Sequence, residues 1–572
     1  MLRLIFSPLL IVSAVAAATV QLGDTTLTGK DIPYDGTSGL EFYGGIPFAE
    51  APIGSLRFKP PVPKASLGVL TFDASSFGPS CLQVKIPTFA EIPLPPSLSE
   101  DCLSLSILRP AGIPANASLP VMVYISGGGF IIDALPQLDA SPVVARSISR
   151  ALGQGTPIVF AMMNYRLGPL GFPSGSEATA KGALNLGLRD QLAALEWIQS
   201  NIAAFGGDKD KVTLLGISGG AISIGNFYLT NTIEKYARGA IMQSGVAGSS
   251  SVFTGPRGQK NWDNFVAAIP ECASSGKNNS FDCLQRDDIN STHLLQAITT
   301  SLSLTEEQLP WLPTIDGPDG LIPELPSEFY KKGNFPSVPF IAGNALDEGT
   351  VFTPHPIQLD EGALRTALVA NLTTFSPDRE HELEDAVDKL LGLYPDDPAL
   401  GSPFNTGDQL FNLTSQYKRW AAINGDMLFQ STRRAFTQAA TKAGVKAYGF
   451  LFTYGELTAA LQPVDGVRHG ADVPYGWGFS NLPGFVPSAS SAKLSQQIVD
   501  YWISFVTTLD PNDGLGSETF IHRDGAGPAW PSYEPENQTL LELNGPNTTT
   551  ITDDYRAEQI DFLNQNGLLF RH

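Results

Sequence analysis

Between residues 120 and 245 the chain alternates short apolar runs with one long amphipathic segment, and few folds accept that alternation. The runs PVMVYISG, PIVFAMMNYR, VTLLGIS and GAIMQSG are rich in β-forming residues and end in turn residues. In LNLGLRDQLAALEWIQSNIAAFG, by contrast, Leu188, Leu192, Leu195, Ile198 and Ile202 recur every three or four positions, which is one face of a helix. Strands separated by helices predict an α/β fold with a mostly parallel central sheet flanked by helices. With 42% hydrophobic and 16% charged residues over 572 positions, the chain has the composition of a globular protein with a large core. It has no internal repeat and no long linker, and the Pro-rich patch EIPLPPSLSE is too short for a tether, so residues 19–572 are expected to form one domain.

Within this pattern VTLLGISGGAIS places Ser218 between glycines at the end of a buried strand, Val212 to Leu215. A strand, then G-x-S-x-G, then a helix is the form of a nucleophile elbow, in which the glycines avoid clashes while the backbone lifts the serine hydroxyl above the sheet. The motif alone is weak in so glycine-rich a chain, so its partners decide. Gly127, Gly128 and Gly129 directly follow the strand VMVYIS, where bare backbone N–H groups can approach a substrate oxyanion.

A serine nucleophile needs a histidine base downstream, with an acid between them in the chain order of this scaffold. His381 lies in a charged helix-like stretch, His522 in a polar loop, and His572 is the last residue. His293 precedes an apolar segment, and neither it nor His355, between prolines, has a glycine-rich landing. His469, in GVRHGADVPYGWG after the strand-like KAYGFLFTY, is the best candidate. For the acid, Asp347 and Glu348 follow the strand-like VPFIAGNAL, and spacing does not choose between them.

The N-terminus MLRLIFSPLLIVSAVAAATV has one basic residue, an apolar stretch and small residues near Ala16 to Ala18, so residues 1–18 read as a secretory signal. Sequons at Asn116, Asn278, Asn290, Asn371, Asn412, Asn537 and Asn547 agree with a secreted, extracellular glycoprotein. The four cysteines, Cys81, Cys102, Cys272 and Cys283, fall in two sequence-local pairs without C-x-x-C spacing, so disulfides outrank a zinc site. A formal charge of −21 argues against nucleic acid and anionic membranes as partners, and the six scattered histidines offer no metal-ligand spacing. No later segment reads as a stable membrane anchor, and nothing fixes the oligomeric state.

From about Gly44 to Tyr533 the chain resembles the type-B carboxylesterase and lipase family of α/β-hydrolases, which includes cholinesterases, fungal lipases and non-catalytic neuroligins. The likeness rests on GIPFAEAPIGSLRFKPP, SEDCLSLSI, GGGF, NYRLGPLGF, NLGLRDQLAALEWIQSNIAAFGGD, VTLLGISGGA, AIMQSG, GNALDEGT, RHG and AWPSY, in the family's order. The resemblance implies a serine carboxylic ester hydrolase of a secreted fungal type that needs no cofactor and no metal. It makes Ser218 the nucleophile, Glu348 rather than Asp347 the acid and His469 the base. The N–H groups of Gly128, Gly129 and Gly219 become the oxyanion hole, and the disulfides join Cys81 to Cys102 and Cys272 to Cys283.

The departures bear on substrate. Ile217 and Gly219 stand where the family usually has Glu and Ala around the nucleophile, and Ser126 stands where many members have His. Ile217 leaves the site apolar, and the segment from Cys81 to Cys102 contains no Trp to hold a quaternary ammonium, so choline esters are disfavoured. That segment occupies the family's flap position. Its prolines oppose a large amphipathic lid, while Ile86, Phe89, Ile92, Leu94 and Leu98 are expected to line a pocket mouth or to pack the loop down. The expected substrate is a small-molecule or lipid ester, neutral and of short to medium acyl length. The alternatives are a lipase or sterol esterase acting on long-chain esters at interfaces, and a non-catalytic binding or adhesion protein on the same scaffold.

Overall fold

The computed structural model describes residues 18–572 except 35–37, 90–91, 134–138, 151–154, 251, 276–278, 306, 356–357, 374–378, 481, 483–484 and 513–528. The expected signal segment, residues 1–17 of it, therefore lies outside the described residues, as do Asn278 and His522.

The central sheet has eleven strands, labelled in chain order β1 (Lys30–Tyr34), β2 (Ser38–Pro47), β3 (Ser104–Pro110), β4 (Leu119–Ile125), β5 (Val159–Met163), β6 (Gly207–Ile217), β7 (Gly239–Gln243), β8 (Phe340–Ala345), β9 (Ala447–Phe452), β10 (Thr539–Leu543) and β11 (Thr549–Thr552). Across the sheet they run β11-β10-β9-β8-β7-β6-β4-β5-β3-β2-β1. The seven from β5 and β4 through β10 are mutually parallel, and antiparallel strands close both edges. The mostly parallel sheet flanked by helices is what the alternation predicts, and it agrees with the α/β-hydrolase fold that the resemblance implies; the antiparallel edges carry no comparable sequence signal.

Why the inner strands read as unbroken apolar runs is visible in their two faces. Val121, Val123 and Ile125 of β4 enter one core with Val212 and Leu214 of β6, while Met122, Tyr124, Leu215 and Ile217 enter the other. Helices α2 (Leu186–Asn201) and α3 (Gly219–Tyr228) cover the first face, and α1 (Ser141–Ser149) and α6 (Ala489–Thr508) the second. A strand buried on both sides has no polar alternation to show. Between these helices in sequence lie α4 (Ser415–Gly425) and α5 (Ser431–Lys442), joined by a π-helical turn over Asp426–Gln430.

The flap between Cys81 and Cys102 is stapled at its base. The two cysteines are disulfide-bonded, as are Cys272 and Cys283. Ser80 and Cys81 pair with Leu98 and Ser99, and Glu100 forms a buried bidentate pair with Arg57 at 2.6 and 2.9 Å. Ile86 is buried in the core, Ile92 and Leu98 pack partly against it, and Leu94 stays exposed. Three of the five apolar flap residues thus anchor the loop, and the side chain of Phe89 lies outside the described residues.

A buried ionic cluster ties the far sheet edge to α5. Asp553 accepts from Arg434 Nε at 3.0 Å and Tyr533 Oη at 2.8 Å, and pairs with Arg433. Burial alone would raise the Asp553 carboxyl, but the two guanidiniums hold it down to about 2. Because the shift is downward, its stabilisation is present above the ordinary carboxylate range and is lost as pH falls through about 2. Asp553→Asn should therefore cost about 3–5 kcal/mol by leaving buried guanidiniums unpaired. Thermal unfolding should fall clearly at pH 7, and the variant should lose much of the parent's sensitivity to pH between 4 and 2; an unchanged melting temperature would show that the cluster contributes little.

Candidate active site

The site begins where β6 turns into α3. Ser218 adopts φ 53° and ψ −124°, outside the ordinary range for an L-residue, and donates its N–H to the Gln243 carbonyl at 2.9 Å. The flanking glycines are obligatory for a steric reason. A Cβ on Gly216 would sit 2.6 Å from the Gly220 carbonyl carbon, and one on Gly220 would sit 2.0 Å from the Ile125 oxygen. At Gly219 an added Cβ would meet only Phe130, at 3.4 Å or more, so the turn has room there for alanine.

The glycine loop after β4 packs directly on this turn. A Cβ on Gly127 would lie 3.0 Å from Ser218 Cβ, and Gly128 and Gly129 take φ values of 101° and 61°. Among the described residues, the N–H groups of Gly128 and Gly129 donate to no protein acceptor, and Gly219, as the first residue of α3, has no intrahelical acceptor. Three uncommitted donors therefore gather at the serine turn.

The two downstream carboxylates have different partners. Glu348, fully buried, accepts from Ala345 N at 2.7 Å through Oε1 and meets His469 Nδ1 at 2.5 Å through Oε2. Asp347 instead accepts from Ser402 Oγ, Phe404 N and Val467 N, each at 2.8 Å, and its own N–H donates to the Val467 carbonyl. Burial pushes the Asp347 carboxyl above its usual range in spite of these donors. Asp347 thus clasps the loop that carries His469, while Glu348 holds the imidazole itself. Gly349 lets this turn sit against α4, because a Cβ there would lie 2.0 Å from the Ala421 oxygen.

The imidazole is also gripped by rings. Phe352 lies edge-on at 5.0 Å between centroids and Phe429 at 4.8 Å. Phe429 is in the π-helical turn between α4 and α5, a distortion that re-aims one side chain. His469 Nε2, opposite the Glu348 contact, is buried and has no hydrogen-bond partner among the described residues. Of the other histidines, His293 belongs to the capping box of a helix, His355 lies by Tyr417, His381 is fully exposed, and His572 is buried with its ring pushed down to about 4 by desolvation. Phe352, Phe429, Gln243 and Asp472, taken up below, lie in the site without having been singled out from sequence. Only Asp472 had a legible signal, a carboxylate in an otherwise apolar loop three residues after His469.

The model of the carboxylesterase family matches residues 16–563. The chain belongs to the carboxylesterase family. It is 36% identical to Secreted lipase 1 of Botryotinia fuckeliana, over 92% of this chain and 90% of that one. It is 34% identical to Lipase 4 of Diutina rugosa, over 100% and 99%. In fold it is similar to the crystal structure of Aspergillus niger EstA, with a TM-score of 0.78 at 23% identity, covering 97% and 99% of the two chains. Its activity is carboxylic ester hydrolysis.

Two pairs of variants test this carboxylesterase site. Gly219→Ala should fold, keep its activity within a few fold and gain some tenths of a kcal/mol from reduced unfolded-state entropy, whereas Gly220→Ala should fail to accumulate as folded protein. Asp347→Asn, losing acceptor capacity toward three donors, should lower the melting temperature more than Glu348→Gln, which should instead lose activity with the fold kept. The reverse ranking by calorimetry and ester assay would exchange the two carboxylates.

Proposed function

We propose that Ser218, His469 and Glu348 form the catalytic triad, with Gly128, Gly129 and Gly219 as the oxyanion hole. The observation that carries this reading is the state of His469, whose Nδ1 is committed to Glu348 at 2.5 Å while Nε2 has no hydrogen-bond partner among the described residues, Ser218 Oγ included. Nε2 takes the proton of Ser218 Oγ as that oxygen bonds to the ester carbonyl carbon. The tetrahedral oxyanion forms against the three N–H groups, each worth about 3 kcal/mol of transition-state stabilisation. The imidazolium then gives its proton to the departing alcohol, and water, activated by the same nitrogen, releases the acid from the acyl-enzyme. Glu348 stabilises the charged ring throughout. Loss of function on this scaffold, as in an adhesion protein, would not require an uncommitted Nε2 or three unspent donors.

The proposed substrates are neutral esters of short to medium acyl length. Ile217 is 8% exposed in an apolar core position beside the serine, and Phe352 and Phe429 add aromatic surface. None of the three carries a negative charge to pair with a cationic alcohol. The disulfide-closed flap, with Ile86 in the core and Gln83 Oε1 accepting from Asp133 N at 2.8 Å, is too firmly held to swing as a broad lid. The relatives' printed names, among them Secreted triacylglycerol lipase LIP1 of Gibberella zeae, favour a second reading, a lipase acting on long-chain esters at an interface.

Secretion is proposed on the N-terminal segment and on relatives named as secreted, and among the described residues no helix is long and apolar enough to cross a membrane. Residues 19–572 would then be a single catalytic domain. Asn116, Asn290, Asn412, Asn537 and Asn547 are exposed and open to glycan attachment.

A chain-length series of neutral esters, assayed in solution and as emulsions, tests the substrate class. The expected maximum lies at short or medium acyl chains without a rise on droplet formation. A steep rise at droplets with long chains preferred would establish the lipase reading. Ser218→Ala should lose at least three orders of magnitude of kcat at unchanged melting temperature; retention of activity within a few fold would remove Ser218 from the chemistry.

A further inference from the structure

A third carboxyl is buried at the site, and the two-carboxylate description of the acid loop leaves it without a task. Asp472 follows His469 by three residues and is 1% exposed. Its Oδ2 accepts from Gln243 Nε2 at 2.7 Å, while Oδ1 is buried and has no hydrogen-bond partner among the described residues. Gln243 is the last residue of β7, and its carbonyl accepts the N–H of Ser218 at 2.9 Å. One residue thus touches the serine turn through its main chain and the histidine loop through its side chain.

The groups facing Asp472 come from every element around it. Glu348 and His469 interact with it electrostatically, Glu348 as a like charge and His469 as an opposite one. Burial, with the Asp133 and Asp472 charges among the further causes, holds the Tyr124 phenol of β4 well above its usual range. Trp502 of α6 has its Nε1 near this corner, 3.4 Å from where a Cβ on Gly476 would lie, and it is neutral.

We infer that Asp472 is a positioning residue for ester hydrolysis, which clamps the His469 loop to the serine turn through Gln243 and, when ionised, adds a second negative charge that stabilises the His469 imidazolium. The inference rests on the triad reading above and deepens it. Desolvation, with the Glu348 charge as a further cause, pushes the Asp472 carboxyl up to about 6. The position before the serine, Ile217, offers no carboxylate, whereas Asp472 is a buried carboxyl that interacts with both Glu348 and His469.

Asp472→Asn separates the two roles, because its amide oxygen can still accept from Gln243 while the charge is gone. On the folded full-length enzyme, the acid limb of kcat/KM should move to lower pH by about half a unit or more, and kcat on the plateau should fall about 3- to 10-fold with KM nearly unchanged. Gln243→Leu is the second variant. It removes the donor that favours the ionised carboxyl, so the acid limb should move in the same direction even with Asp472 present. An acid limb that stays in place in both folded variants overturns the proposal, as does a fall in kcat accompanied only by a lower melting temperature. His469→Ala distinguishes the two levels: if it keeps substantial turnover the triad reading itself fails, whereas if it is inactive and the Asp472→Asn limb is unmoved, only the role of Asp472 fails.

Discussion

The backbone contact between the two glycines that flank Ser218 is the constraint on which the site depends. Gly216 and Gly220 approach so closely that no side chain fits between them, and Gly220 also rests on the end of β4. That contact brings α3 back over β6 immediately after the serine and forces Ser218 to φ 53°. The same closeness brings the 127–129 loop against the turn, so one contact positions Ser218 together with the N–H groups of Gly128 and Gly129. The strain is held by burial on both faces of a parallel sheet, whose strands enter two different cores.

Glu348 and His469 are held in a different way, by polar clasps between loops. Asp347 and Val467 exchange main-chain and side-chain hydrogen bonds, Thr350 Oγ1 donates to the Asp465 carbonyl at 2.9 Å, and Glu348 reaches the imidazole from within this frame. A buried carboxylate is costly without donors, and both acids have them. His469 Nε2 is left as a buried nitrogen without a hydrogen-bond partner among the described residues.

What was legible in the sequence follows from what each signal encodes. The parallel sheet, the serine turn and the glycine loop write themselves as local patterns, because a doubly buried strand must be apolar and a crowded turn must be glycine. The choice between Asp347 and Glu348 is not local. Adjacent carboxylates diverge by side-chain direction, and only the family resemblance pointed to Glu348. Phe429 was hidden because a π-helical turn leaves no periodic trace, and Gln243 because its task depends on two loops distant in sequence. The flap was half legible. Its apolar residues were seen, but whether they face a pocket or a core depends on the packing of Ile86, which goes inward.

The central claim, that an activated serine on the β6 turn performs acyl transfer, is tested most directly by reacting the full-length protein with a serine-directed phosphonate and mapping the adduct by mass spectrometry. The account predicts one adduct per chain, on Ser218, formed with loss of ester hydrolysis in parallel and slowed by several orders of magnitude in His469→Ala. An adduct on another residue, or full ester turnover after Ser218 has been modified, would contradict it.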